Sequence, residues 1–205
     1  MKNLCSFCVL TALAISAAAD DDLKPLFNGK DLTGFKTEGN WVIEEDGSVA
    51  IKPREGETGW KRYGSYLWLE QQYGDFIAEV EYKHPKGGNS GVFFRCGDLV
   101  DPVKTGLEVQ ILDSHGKAEP LGHHDCAGVI RTAGPTKNMA KPAGEWNHMR
   151  IKAQGTKLEV IFNGEKVIDI DLKDTDSKDK PLKGYFGLQD HGQVMWFRNL
   201  KIKAL

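Results

Sequence analysis

No run of about 20 consecutive apolar residues occurs in this chain of 205, so nothing in it reads as a helical membrane span. Basic blocks are missing too. The 27 Lys and Arg stand against 29 Asp and Glu, a balance that argues against a nucleic-acid partner, because no stripe of cations could follow a phosphate backbone. No glycine-rich dinucleotide fingerprint is present, which excludes a bound nucleotide cofactor of that kind. Cysteine is scarce: two of the four, Cys5 and Cys8, fall in the first nineteen residues. Helical periodicity of useful length is absent as well, and with it any case for crossover helices.

What is present begins with a leader. Lys2 precedes an apolar stretch from Leu4 to Ala18 that closes on Ala17-Ala18-Ala19 before Asp20-Asp21-Asp22. A charged start, a short hydrophobic region and a small-residue box form a secretory signal peptide, residues 1–19, with periplasmic or secreted destination. Residues 20–205 then make one domain. Export bears on Cys96 and Cys126. An oxidising compartment permits a bridge between them, and the alternative is two separate buried thiols.

From Trp41 onward the pattern is alternation punctuated by turns. Asp46-Gly47 and Asn163-Gly164 sit between alternating runs and signal hairpins. About a dozen short strands are expected, including Asp75–His84, Ser90–Arg95, Gly106–Leu112, Ala127–Arg131, Trp146–Ala153 and Gly184–Gln189. The fold class is all-β, an antiparallel jelly-roll sandwich.

Period-two bookkeeping then sorts side chains onto faces. Val92, Phe94, Val109, Ile111, Phe186 and Leu188 fall on the core side. Asn89, Phe93, Arg95, Glu108, Gln110, Tyr185, Gln189 and His191 fall on the other. Planar amides, carboxylates and Arg pair with vicinal hydroxyls, and aromatic rings stack on sugar C–H faces, so this polar side suits a carbohydrate.

The motifs themselves extend this reading. Leu26-Phe-Asn-Gly-Lys-Asp-Leu-Thr-Gly-Phe35, Tyr73-Gly-Asp-Phe76, Gly88-Asn-Ser-Gly-Val-Phe-Phe-Arg95, Leu107-Glu-Val-Gln-Ile-Leu-Asp113, Gly144-Glu-Trp-Asn147, Gly187-Leu-Gln-Asp-His-Gly192 and Val194-Met-Trp-Phe-Arg-Asn-Leu200 follow one another along the chain. In that order they resemble the 3-keto-disaccharide hydrolase family. The resemblance implies a concanavalin A-like lectin/glucanase fold with a sugar-facing sheet, in bacteria that degrade glycans. One stretch departs from the family pattern. Where members carry Gly-Ala-Ile/Leu-Tyr, this chain reads Cys126-Ala-Gly-Val-Ile-Arg131, after a loop holding His115, His123 and His124.

The chemistry implied is elimination followed by hydration. A ketone at C3 acidifies the C2 hydrogen. A base removes it, the enolate expels the group on C1, and water adds back. His191, Glu108, Arg95 and Asp113 are the catalytic candidates, with imidazole suited to proton transfer at neutral pH and Arg95 to an oxyanion. Asn89, Phe93, Gln110, Tyr185 and Gln189 are the substrate-binding candidates. Gln110 stands where a glucanase trio would place a carboxylate, which disfavours direct displacement. A divalent ion held by Glu108, Asp113 and His191 stays open. A dedicated zinc site at His115, His123, His124 and Asp125 is disfavoured, because adjacent residues on an extended chain face opposite ways. A separate sugar 3-oxidoreductase would have to supply the keto substrate. The alternatives are a non-catalytic carbohydrate-binding module and a conventional glucanase.

Overall fold

A computed structural model describes residues 23–205; the leader assigned to 1–19 lies outside them. The strands are β1 (Lys24–Pro25), β2 (Phe35–Lys36), β3 (Trp41–Ile43), β4 (Val49–Ile51), β5 (Leu67–Tyr73), β6 (Phe76–Lys83), β7 (Asn89–Cys96), β8 (Leu107–Leu112), β9 (Asn147–Gln154), β10 (Lys157–Phe162), β11 (Glu165–Asp171), β12 (Gly184–Leu188) and β13 (Met195–Ala204). A single four-residue turn of helix, α1 (Pro102–Thr105), enters β8.

Two antiparallel sheets form. One runs β11-β10-β9-β6-β13-β4-β3 with β1 added to β13, and the other runs β2-β5-β12-β7-β8. Asn163 and Gly164, both at positive φ (48° and 87°), make the two-residue turn that joins β10 to β11. The Asp46-Gly47 turn is longer: pairing stops at Ile43–Val49, and Gly47 N donates to the Glu44 carbonyl at 2.9 Å. Ala127–Arg131 is not a strand. Ala127 and Arg131 adopt left-handed backbone (φ 65° and 59°), and Val129 makes only isolated bridges to Val109 and Ala133. The segment still covers the edge of β8: Gln110 N donates to the Gly128 carbonyl, Ala127 N to the Gln110 carbonyl and Ile130 N to the Glu108 carbonyl.

Alternation decides the core. Phe76, Ala78, Val80 and Tyr82 of β6 meet Val92, Phe94, Val109, Ile111, Phe186 and Leu188 from the facing sheet, all buried. The outward faces differ. On the larger sheet Arg150–Glu79 (2.6 Å) and Arg198–Glu81 (2.7 Å) form cross-strand ion pairs at the water boundary. On the smaller sheet the outward face is itself covered: Tyr66, Trp68, Phe93 and Cys96 form a second buried cluster. That difference places the site.

Candidate active site

Three neighbouring strands supply the floor. In the register, Phe93 faces Glu108 and Gly187, and Gly91 faces Gln110. The two glycines are spatial necessities. A Cβ on Gly91 would lie 2.2 Å from the Glu108 carboxylate, and one on Gly187 would lie 2.3 Å from the Trp68 ring. Omitting both side chains admits a carboxyl and an indole to the same small area.

Glu108 is 9% exposed, and its carboxylate makes no hydrogen bond or ion pair among the described residues. Burial alone pushes its carboxyl up to about 8. A carboxyl in that condition keeps its proton at neutral pH, which suits an acid that must donate.

The amides beside it have fixed polarity. The Tyr66 hydroxyl donates to the Trp60 carbonyl at 2.7 Å, so its one proton is used. It therefore accepts from Gln189 Nε2 at 2.9 Å, which leaves Gln189 Oε1 without a partner. Asn89 Oδ1 is likewise buried and unpartnered. Gln110 is turned the other way: its Oε1 accepts from Ile111 N at 3.0 Å, so its NH₂ is the end left over. Two acceptors and one amide donor thus lack protein partners around one cavity of about 300 Å³, lined by Asn89, Glu108, Gln110, Gln189, His191 and Trp60 among others. Unpaired buried acceptors cost about 1–3 kcal/mol each unless a ligand supplies donors.

His191 reaches the same cavity from the turn after β12. Its neighbour Asp190, fully buried, accepts from Gly192 N at 2.8 Å and pairs with Arg62 at 3.2 Å. Gly59 N donates to the His191 carbonyl at 3.2 Å. Both sides of the turn are therefore held, and the imidazole is presented from a fixed backbone.

Other expectations are corrected. Arg95 is not on this face. It sits at φ 52°, where β7 carries one residue more than β12 between its pairings, and such a bulge reverses parity. Its buried guanidinium donates to the Gly74 carbonyl (2.9 Å), the Gly155 carbonyl (2.7 Å) and Asp75 (3.0 Å), tying two turns together. The same bulge returns Cys96 to the Phe93 side. Cys126 lies in the main core within 2.9 Å of the Tyr82 hydroxyl, and both cysteines are free thiols, so there is no bridge. Asp113 accepts from Gly87 N at 2.8 Å and fixes the turn before β7, outside the cavity wall. Tyr185 packs on the aromatic cluster rather than lining the cavity. With Asp113 elsewhere, Glu108 and His191 have no third ligand: among the described residues no three His, Cys, Asp or Glu side chains are grouped to hold a metal. The proposed divalent site does not fit. The His123 and His124 rings lie 4.2 Å apart and tilted at 45°, and of the two only His124 lines the cavity.

The sequence reading missed Trp60, Val103, Ile130 and Arg131, all in the cavity wall. The break in family pattern at 126–131 was the one signal for the last two.

The two-sheet antiparallel sandwich, whose smaller sheet carries a polar, aromatic-flanked cavity, defines a jelly-roll protein of the concanavalin A-like lectin and glucanase type. More narrowly, the chain belongs to the 3-keto-alpha-glucoside-1,2-lyase-like domain family, whose model matches residues 22–203. A 3-keto-disaccharide hydrolase of Bacteroides thetaiotaomicron is 28% identical over 225 residues, spanning 88% of this chain and 77% of that protein. A candidate glycosyl hydrolase of Parabacteroides distasonis, solved by crystallography, is 32% identical with a TM-score of 0.74, covering 89% of this chain and 99% of that one. A carbohydrate-binding module of Bacillus subtilis shares the fold at 18% identity and a TM-score of 0.59, over 84% and 96% of the two chains.

Proposed function

We propose that this protein cleaves the glycosidic bond of 3-keto sugars by elimination and hydration, with Glu108 and His191 as its proton-transfer pair. The observation that carries the reading is Glu108: a buried carboxyl without a cationic partner, held protonated in a cavity that His191 also lines and whose amides ask for hydroxyls. The His191 imidazole takes the proton from C2, and the electron pair passes through the enolate to break the C1–O bond. Glu108 gives its proton to the departing oxygen. Water then adds across C1=C2: the Glu108 carboxylate removes a proton as hydroxyl bonds to C1, and imidazolium returns a proton to C2. Both groups end as they began. Gln110 Nε2 is the donor available to a developing enolate oxygen, the part first given to Arg95. Gln189 Oε1 and Asn89 Oδ1 accept from hydroxyls of the ring.

An unoxidised glycoside has no acidic C2 hydrogen and gives this machinery no entry. The substrate must therefore come from a dehydrogenation at C3 by another protein. On the leader at 1–19 we propose the same for place: the reaction runs outside the cytoplasm.

The test is turnover of a 3-keto-disaccharide in heavy water. Deuterium at C2 of the released keto sugar, above the enzyme-free exchange rate, supports the path. Cleavage of the ordinary disaccharide at comparable rate points to a glucanase, and binding without turnover points to a carbohydrate-binding module.

A further inference from the structure

The cavity does not end at Glu108. Arg131 and Val103 line it and also line two neighbours, one of about 280 Å³ reaching Asp176 and Lys180, the other of about 520 Å³ reaching Tyr63, Lys61 and Lys104. Four cations stand on this continuous wall, and none of them makes an ion pair among the described residues. The Lys61 ammonium lies 5.3 Å over the Trp60 ring instead. Two carboxylates, Asp101 and Asp176, share the wall, and Asp101 is engaged in capping Lys104 N at 3.1 Å. Glu108 adds no negative charge while it keeps its proton. The wall is therefore cationic in excess.

Two of the cations are held near one another. Lys180 Nζ donates to the carbonyls of Val103 (3.1 Å) and Lys104, neither of which neutralises it. Burial, and then the charge of Arg131, pushes the Lys180 ammonium down from its ordinary value. Arg131 itself occupies left-handed backbone at φ 59°, with its N–H donating to His123 Nδ1 at 3.1 Å. A non-glycine residue held there costs on the order of 1 kcal/mol and is found where a side chain must be aimed.

We propose that this wall is the leaving-group subsite and that it takes a leaving group bearing a carboxylate, gripped between Arg131 and Lys180. Its place as a leaving-group subsite rests on the glycosidase reading; its preference for an anion rests on the wall alone. A carboxylate there relieves the mutual repulsion of the two cations and replaces water around each with a charged acceptor.

Calorimetry with product-like acids tests the anion site without turnover. 4-Hydroxybenzoate is paired with neutral 4-hydroxybenzamide, and glucuronate with glucose. In at least one pair the acid should bind about tenfold or more tighter at low salt, and its advantage should shrink toward about 1 M salt, where the screening length falls to roughly 3 Å. R131Q should remove most of that advantage, and R131G, which suits the left-handed backbone, should do the same in a chain relieved of strain. Equal affinities within both pairs overturn the proposal, as does an advantage that both Arg131 variants retain. The 3-keto-glucosides of one acid, the preferred one where there is a preference, and of its neutral partner complete the test. If neither is cleaved while the acid still binds through Arg131, the glycosidase reading fails and the anion site stands. If both are cleaved with the same kcat/KM and neither acid is favoured, the anion site fails and the glycosidase reading stands.

Discussion

Glu108→Gln should make the protein markedly more stable in alkali and nearly unchanged in acid. In the unfolded chain the carboxyl titrates near 4.5, and in the folded protein near 8, because burial disfavours its charge. The folded state therefore holds the proton more tightly. Glu108's contribution is most favourable below about pH 4.5, is lost as pH rises toward 8, and levels off above it. Each pH step across that window is worth about 1.4 kcal/mol, so the wild type forgoes about 3–5 kcal/mol at pH 9 relative to an uncharged isostere. Glutamine has the same shape and no charge to bury. Urea unfolding of both proteins at pH 5 and pH 9 gives the double difference directly. Parallel pH dependence in the two proteins, within about 1 kcal/mol, would show that Glu108 is solvated and would remove the basis for treating it as an acid. The same variant should lose turnover on a 3-keto-glycoside, since an amide has no proton to give.

Three further outcomes follow from the geometry. Wild-type kcat/KM should fall on an alkaline limb near pH 8 as Glu108 of the free protein loses its proton; a kcat/KM that instead rises through this limb would make Glu108 the base. Gly91→Ala drives a methyl into the Glu108 carboxylate, the movable end of a side chain, so kcat should drop by about 10–100-fold while the melting temperature shifts little; unchanged kcat would show that the position of the carboxylate does not matter. Tyr66→Phe frees the Gln189 amide to reverse, so KM for the keto sugar should rise more than kcat falls, and the penalty for a substrate lacking one ring hydroxyl should shrink; an undiminished penalty would mean that Gln189 is oriented by something else.

Local chemistry along the chain was enough to settle the class of the fold and most of its faces. Strand alternation has a period of two whatever the chain folds against, so Val92, Phe94, Val109 and Leu188 were legible as core, and Asn163-Gly164 as a turn, from local chemistry alone. It also carried Asn89, Glu108 and Gln110, because regular strands project alternate side chains together, and Gln189 and His191, which follow the end of β12 into the same cavity. Parity failed where the backbone left regular geometry. The bulge at Arg95 turned a candidate oxyanion binder into a buried tie between turns, and no local signal in Phe93-Phe94-Arg95-Cys96 announces that φ of 52°. Asp113, a catalytic candidate from its motif, lies on the opposite parity from Glu108 and Gln110, and at the strand end its carboxylate serves the turn. Burial lay beyond the sequence altogether. An outward-facing glutamate is ordinarily wet; here the outside of the sheet carries the buried cluster of Tyr66, Trp68 and Phe93, and burial raises Glu108. The amide polarities and the meeting of Arg131 with Lys180 likewise depend on contacts between residues far apart in the chain. Loop closure brings them together, and no periodicity in a sequence encodes it.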